Sequence, residues 1–239
     1  MAHLSPKTPT WAGIAVFGLC SVLSSASFAM SPYQAKYAFQ YNNTTVGSAS
    51  RTLSKSGNLW TYQFSATAAK MAKASETSTF SLQNGKIVSH SFNRSSTIFG
   101  MGSKMSMSFD SAQKVVNTKK DDKTRSYTWQ AHALDELNAE LQVREDLKKL
   151  KANAPFKTQY LIADAKEIES RTFVKQAATE KVQTQAGQYE TVKVIIQHKK
   201  PNRSTTFWLA PALDYLPVKV SHQDGKSSYG LLLTGYTPK

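Results

Sequence analysis

Four histidines lie beyond the first thirty residues: His90, His132, His198 and His222. None stands at metal-ligand spacing from another His or from a Cys, and neither HExxH nor CxxC occurs. The chain is rich in serine, yet it has no GxSxG from which a strand-to-helix nucleophile turn could be built. "GMGSKMSM" at 100–107 lacks the Lys-Ser/Thr ending of a phosphate loop. The carboxylate pairs Glu167/Glu169 and Asp121/Asp122 sit among Lys and Arg, which reads as a solvated surface rather than an acid–base couple. Met101, Met105 and Met107 form the sharpest cluster. Soft thioethers can hold Cu(I), but methionine more commonly fills irregular apolar space. No catalytic residue, metal site or cofactor is nominated.

The residues around these groups alternate with period two. "AKYAFQY" puts Ala35, Tyr37, Phe39 and Tyr41 on one face, and "LWTYQFSA" does the same with Trp60, Tyr62, Phe64 and Ala66. "KMSMSFD" aligns Met105, Met107 and Phe109 opposite serines. Asn84-Gly85 and Asp224-Gly225 are hairpin signals, and "NNTTVG" reads as a further connection ending at Gly47. Strands resume after residue 155 and run to the C-terminus. The expected fold is mainly β: a single curved antiparallel sheet, or an open or half barrel. The rhythm breaks once, in "LDELNAELQVREDLKKLK", where a central α-helix is expected over 135–151 with Asp135 as its cap. Leu134, Leu137 and Leu141 share one face, whereas Val143, Leu147 and Leu150 fall nearly opposite. Such a helix either bends near Gln142 or is covered on both sides, as it would be inside a curved sheet.

The first 29 residues read as a cleaved secretory signal. Lys7 precedes a 13-residue apolar run, Trp11–Leu23, and small Ser27 and Ala29 place cleavage after Ala29. The run is too short for a bilayer span, which needs about 20 residues. Residues 30–239 then form one domain in an expected periplasmic location. They keep 29 of the 30 Lys and Arg and all 16 acidic residues, a net +13, and no cysteine. Without disulfides, stability must come from the core. The positive charge suits anionic surfaces; export argues against nucleic acid. A transmembrane barrel would also alternate, but the charged helix and the polar outward positions break any continuous lipid-facing band.

"TTFWLAPALDYLPVKV" at 205–220 reads as a strand, a corner stiffened by Pro211 and Pro217, and a return strand. Asp214 is expected to bond nearby amides, and Tyr215 and Leu216 to fold inward. With "KYAFQYNNTTVGSASRTL", "EKVQTQAGQYETVKVII" and "YGLLLTGY", this stretch resembles the exported bacterial family called domain of unknown function 3108 (DUF3108). The resemblance covers nearly all of residues 30–239. It implies a curved or barrel-like antiparallel sheet and brings no established activity or catalytic residues. In layout the family is similar to the LolA- and LolB-like periplasmic lipoprotein carriers, a likeness of fold alone.

The expected function is therefore a non-catalytic binding module. A lipid or other amphipathic envelope ligand would lie against an inward set of Trp60, Phe64, Phe80, Phe92, Met105, Met107, Phe109 and Trp208. The alternative is a structural or protein-interaction component of the envelope, with that same set as ordinary core. An envelope-polymer hydrolase or a Cu(I)-binding protein ranks behind both.

Overall fold

The structure is a computed structural model, and it describes residues 30–69, 72–151 and 154–239. The expected signal sequence, 1–29, lies outside the described residues. Eight strands come first: β1 (Tyr33–Tyr41), β2 (Thr44–Ser56), β3 (Leu59–Ala68), β4 (Ala72–Gln83), β5 (Lys86–Ile98), β6 (Met101–Asp110), β7 (Val115–Lys120) and β8 (Lys123–Thr128). The helix α1 (Glu136–Lys148) follows. Six strands complete the chain: β9 (Lys157–Ala163), β10 (Ile168–Thr184), β11 (Gly187–Gln197), β12 (Arg203–Ala210), β13 (Leu216–Asp224) and β14 (Ser227–Pro238).

All fourteen strands join one sheet, in the order 8-7-6-5-4-3-2-1-14-13-12-11-10-9. Every neighbouring pair is antiparallel, and the first strand pairs with the last from Tyr33 opposite Pro238 to Tyr41 opposite Tyr229. The sheet does not close, since β8 and β9 do not pair. The segment before α1 instead runs along β9, where Leu134 bridges Ile162 in parallel. The Tyr127 hydroxyl donates to the Asp164 carbonyl at 2.6 Å, and Thr118 Oγ1 to the Ala165 carbonyl at 2.9 Å. These bonds draw the two edges together without making a barrel. Charged, exposed Lys123 and Arg125 on β8 blunt the remaining edge against pairing with another chain.

Alternation delivers the core as expected. Tyr33, Tyr37, Leu53, Tyr62, Phe80 and Phe92 are all at most 2 % exposed, and each large apolar side chain so buried stabilises the fold by about 1.5–3 kcal/mol. Asp135 caps α1 by accepting from the Asn138 amide at 2.9 Å, and α1 is buried almost all round, from Leu137 to Leu147. The two opposed Leu stripes are thus explained by cover on both sides, within the concavity.

Two local expectations need correcting. Gly47 lies inside β2, and the turn is made by Asn42 and Asn43, both with positive φ. Gly47 is required there by proximity: a Cβ on it would fall 1.8 Å from the Thr67 carbonyl oxygen. At the proline corner, Pro211–Leu213 form a short 3-10 turn, and Asp214 and Tyr215 take left-handed φ. Asp214 contributes its backbone carbonyl, which accepts from Arg144 Nε at 3.2 Å, rather than its carboxylate to nearby amides. Leu216 is fully buried, as expected.

Candidate functional site

The meander sends alternate turns to opposite ends of the sheet. One end carries the Asn84-Gly85 turn and the 211–215 corner. The other, the mouth, carries the β1–β2, β3–β4, β5–β6 and β13–β14 connections. Helix α1 fills only the part away from the mouth. Its C-terminal Lys149 reaches the Gly85 carbonyl (3.0 Å), while Asp135 at its start bonds Ser78 midway along β4.

A buried polar cluster locks the helix there. Arg51 Nη1 lies 2.6 Å from Glu140 Oε2 and donates to the Tyr62 hydroxyl at 2.9 Å. Tyr62 donates to Glu140 Oε1 at 2.7 Å, and Arg144 Nη1 donates to Tyr33 at 2.7 Å. Burial opposes the charge on Arg51, but Glu140 together with the Tyr62, Tyr37 and Tyr33 hydroxyls more than offsets it and holds the guanidinium protonated. Burial pushes the Tyr62 hydroxyl well above its ordinary value. A second chain of charges runs Glu76–Arg94–Glu136–Arg171 at the helix N-terminus. Burial raises the Glu136 carboxyl, yet Arg94 and Arg171 overcome it and hold Glu136 at about 2. Every member has a partner, so these groups position the helix.

Above this charged floor the concavity is unfilled. An apolar cavity of about 350 Å³ opens at the mouth between Phe39, Ala66, Ala68, Ala74, Ile98 and Tyr229, with Lys73 at its border. Beside it a polar cleft of about 470 Å³ is floored by Glu136, Ala139 and Glu140 of α1 and walled by Arg171, Phe207, His198 and His222. Tyr229 and His222 are cross-strand partners, so the two spaces abut across β13 and β14. In the cleft the Thr205 hydroxyl lies 2.9 Å from His198 Nε2 and 2.7 Å from His222 Nδ1. A hydroxyl carries one proton, so it donates to at most one of these nitrogens. Burial, with His222 and Arg171 nearby, depresses His198; burial and Arg203 depress His222. Both rings are therefore neutral at pH 7 and offer hydrogen bonds rather than charge.

None of the eight residues expected to line a ligand borders the apolar cavity. Trp60 stacks on Phe80 with centroids 6.2 Å apart, and both pack in the core with Phe92, Met107 and Phe109. Met105 is also buried, and half-buried Phe64 lies under the Arg51 guanidinium at 5.2 Å. Trp208 was expected inward; it faces outward. Its register partners are Lys193 and Lys219, and the Lys219 ammonium sits 4.5 Å from its ring centroid, whereas Phe207 and Leu209 take the inner positions. Met101 stands apart from Met105 and Met107, 75 % exposed at the mouth. Asp121 ties down the β7–β8 turn by accepting from the Lys104 amide at 2.8 Å. His90 meets Ser81 at 3.0 Å on an exposed face, with no carboxylate hydrogen-bonded to that ring among the described residues. The same residues contain no group of three His, Cys, Asp or Glu placed to hold a metal.

The residues that the sequence reading missed are the small ones. Ala66, Ala68, Ala72 and Ala74 line the cavity by omission of bulk, and their signal was the alternating alanines of "FSATAAKMAKAS".

An open, barrel-like sheet filled by one helix at one end and hollow at the other defines the architectural class. A solved structure described as a beta-barrel-like protein of domain of unknown function DUF1849, from Brucella abortus, is similar in fold. It is 11% identical, with a TM-score of 0.55, over 88% of this chain and 98% of that one. The chain itself belongs to the family described as protein of unknown function (DUF3108), whose model matches residues 33–234. No curated protein matches the sequence.

Proposed function

We propose that the protein is an exported, periplasmic, non-catalytic module that binds an amphipathic envelope ligand at the mouth of its sheet. The observation that carries this reading is the adjacency of the two spaces. The apolar cavity of about 350 Å³ accepts a hydrocarbon portion, and the neighbouring cleft presents polar groups to a headgroup. Volumes of this order fall in the range of small-molecule sites, roughly 300–1,000 Å³. The signal-like first 29 residues support export. The packed aromatic core supplies rigidity, so the site is formed before a ligand arrives.

Titration of the purified protein with a fluorescent fatty acid and with a lysophospholipid tests the reading. Saturable binding is expected, and Ala74→Phe, which fills the cavity from a half-buried position, should abolish it while the fold is retained. No saturable binding, or equal binding by Ala74→Phe, would refute it.

A further inference from the structure

Six large apolar side chains are well exposed among the described residues: Tyr41, Leu59, Ile98, Phe99, Met101 and Tyr229. All but Leu59 gather at the mouth. Three of them form the tip of the β5–β6 hairpin, where Ile98 is 52 % exposed, Phe99 72 % and Met101 75 %. The turn residues Phe99 and Gly100 both have positive φ, 50° and 80°. A two-residue hairpin turn of that kind favours Asn or Asp followed by Gly, because a bulky side chain fits the left-handed region poorly. The Asn84-Gly85 turn at the other end of the molecule follows that preference. An aromatic at Phe99 thus costs stability twice, through its backbone and through its exposure to water.

Basic side chains surround the tip. Lys73 borders the apolar cavity on one side. On the other, Lys104 and Lys119 line a groove together with Ser96 and Gly102. Asp121 and Asp122 share that groove, but Asp121 is engaged by the Lys104 amide and by Ser103. Lys226 lies in the β13–β14 turn beside Tyr229, and the chain as a whole carries a net +14. An apolar wedge ringed by ammonium groups matches a bilayer whose surface is anionic and whose interior is hydrocarbon.

We infer that the β5–β6 tip, Ile98-Phe99-Gly100-Met101, inserts into the surface of an anionic phospholipid membrane and holds the mouth against it. Ile98 and Phe99 also line the cavity, whereas Met101 does not, so Met101 is the position at which membrane docking and ligand capture are separable.

Co-sedimentation with vesicles of phosphatidylcholine, with and without phosphatidylglycerol, provides the test. The protein is expected to bind the anionic vesicles and to release them at high salt. Met101→Ser should weaken that binding by about tenfold while leaving fatty-acid binding in the cavity unchanged. Phe99→Asn should also weaken it while raising Tm by about 2–4 °C, since Asn accepts the turn's φ. Leu59→Asn, at the far end, should bind vesicles as the parent does. The inference is overturned if the protein ignores anionic vesicles, or if Met101→Ser and Phe99→Asn bind them as tightly as the parent. It is also overturned if the tip is buried against a second copy, seen as a dimer that Met101→Ser dissociates.

Discussion

Replacing Glu140 by Leu removes the only carboxylate hydrogen-bonded to Arg51 among the described residues, deep beneath the mouth. Both side chains of the pair are less than a tenth exposed, and the guanidinium is held between Glu140 of the helix and the Tyr62 hydroxyl. Arg51 would keep contacts with the rings of Tyr37, Tyr62 and Phe64, at 6.0, 5.9 and 5.2 Å, which offset a small part of the loss. Stranding a buried charge typically costs about 3–5 kcal/mol. For a domain of this size that is a fall in Tm on the order of 10 °C. The paired change Arg51→Met with Glu140→Leu removes both charges and keeps the volume, so it should return to within about 1–2 kcal/mol of the parent. Urea denaturation of the parent, both single variants and the double variant closes the cycle. A single variant costing under about 1 kcal/mol, or a double variant costing the sum of the singles, would refute the claim that this pair locks the helix.

Two further outcomes follow from the same framework. Burial pushes the Asp135 carboxyl up to about 7, against bonds from Ser78 and Asn138 that favour its anion, whereas the unfolded chain releases that proton near 3.9. Between about pH 4 and pH 7 the folded state holds a proton that the unfolded state has lost. Stability from this group therefore falls as pH rises, by roughly 1.4 kcal/mol per unit. Asp135→Asn should flatten that limb of the pH–stability curve, with little change near pH 4 and a gain near pH 8 in urea titrations. Asn138 Oδ1 is buried without a partner, so a flipped Asn138 amide could accept from the new side chain. Gly47→Ala would drive a Cβ into the Thr67 carbonyl and to within 2.8 Å of the Ala68 Cα. It should cost about 2 kcal/mol or more and weaken fatty-acid binding, because Val46 and Ala68 form the cavity wall; thermal melts and the fluorescence titration check both.

Strands, hairpins and the helix were legible because each rests on local rules. Alternation at Tyr33, Tyr37, Trp60 and Tyr62 has one physical solution, a half-buried strand, and the capped Leu-rich segment has one as well. Which face of an isolated strand turns inward is a different matter. Trp208 alternates correctly with Phe207 and Leu209, but its flanking partners Lys193 and Lys219 come from other strands, and only their register placed it outside. The cavity was less legible still. Bulky side chains announce themselves in a sequence, but a hollow is defined by what four alanines leave empty once neighbouring strands converge. The polar clusters were hidden for the same reason: Arg51 and Tyr62 are remote in sequence from Glu140 and Arg144, and all four are ordinary in type.

The pairing of β1 with β14 places the seam of the sheet at its middle rather than at its rim. Two half-sheets must each assemble and then wait, because they cannot be joined until β14 is in place against β1. Until then β1, nine residues long and rich in aromatics, presents an open row of amides and carbonyls. A nascent or truncated chain is thereby primed to capture a stray strand from another molecule. Strand β14 works as a zip-fastener on which the protection of that open edge depends.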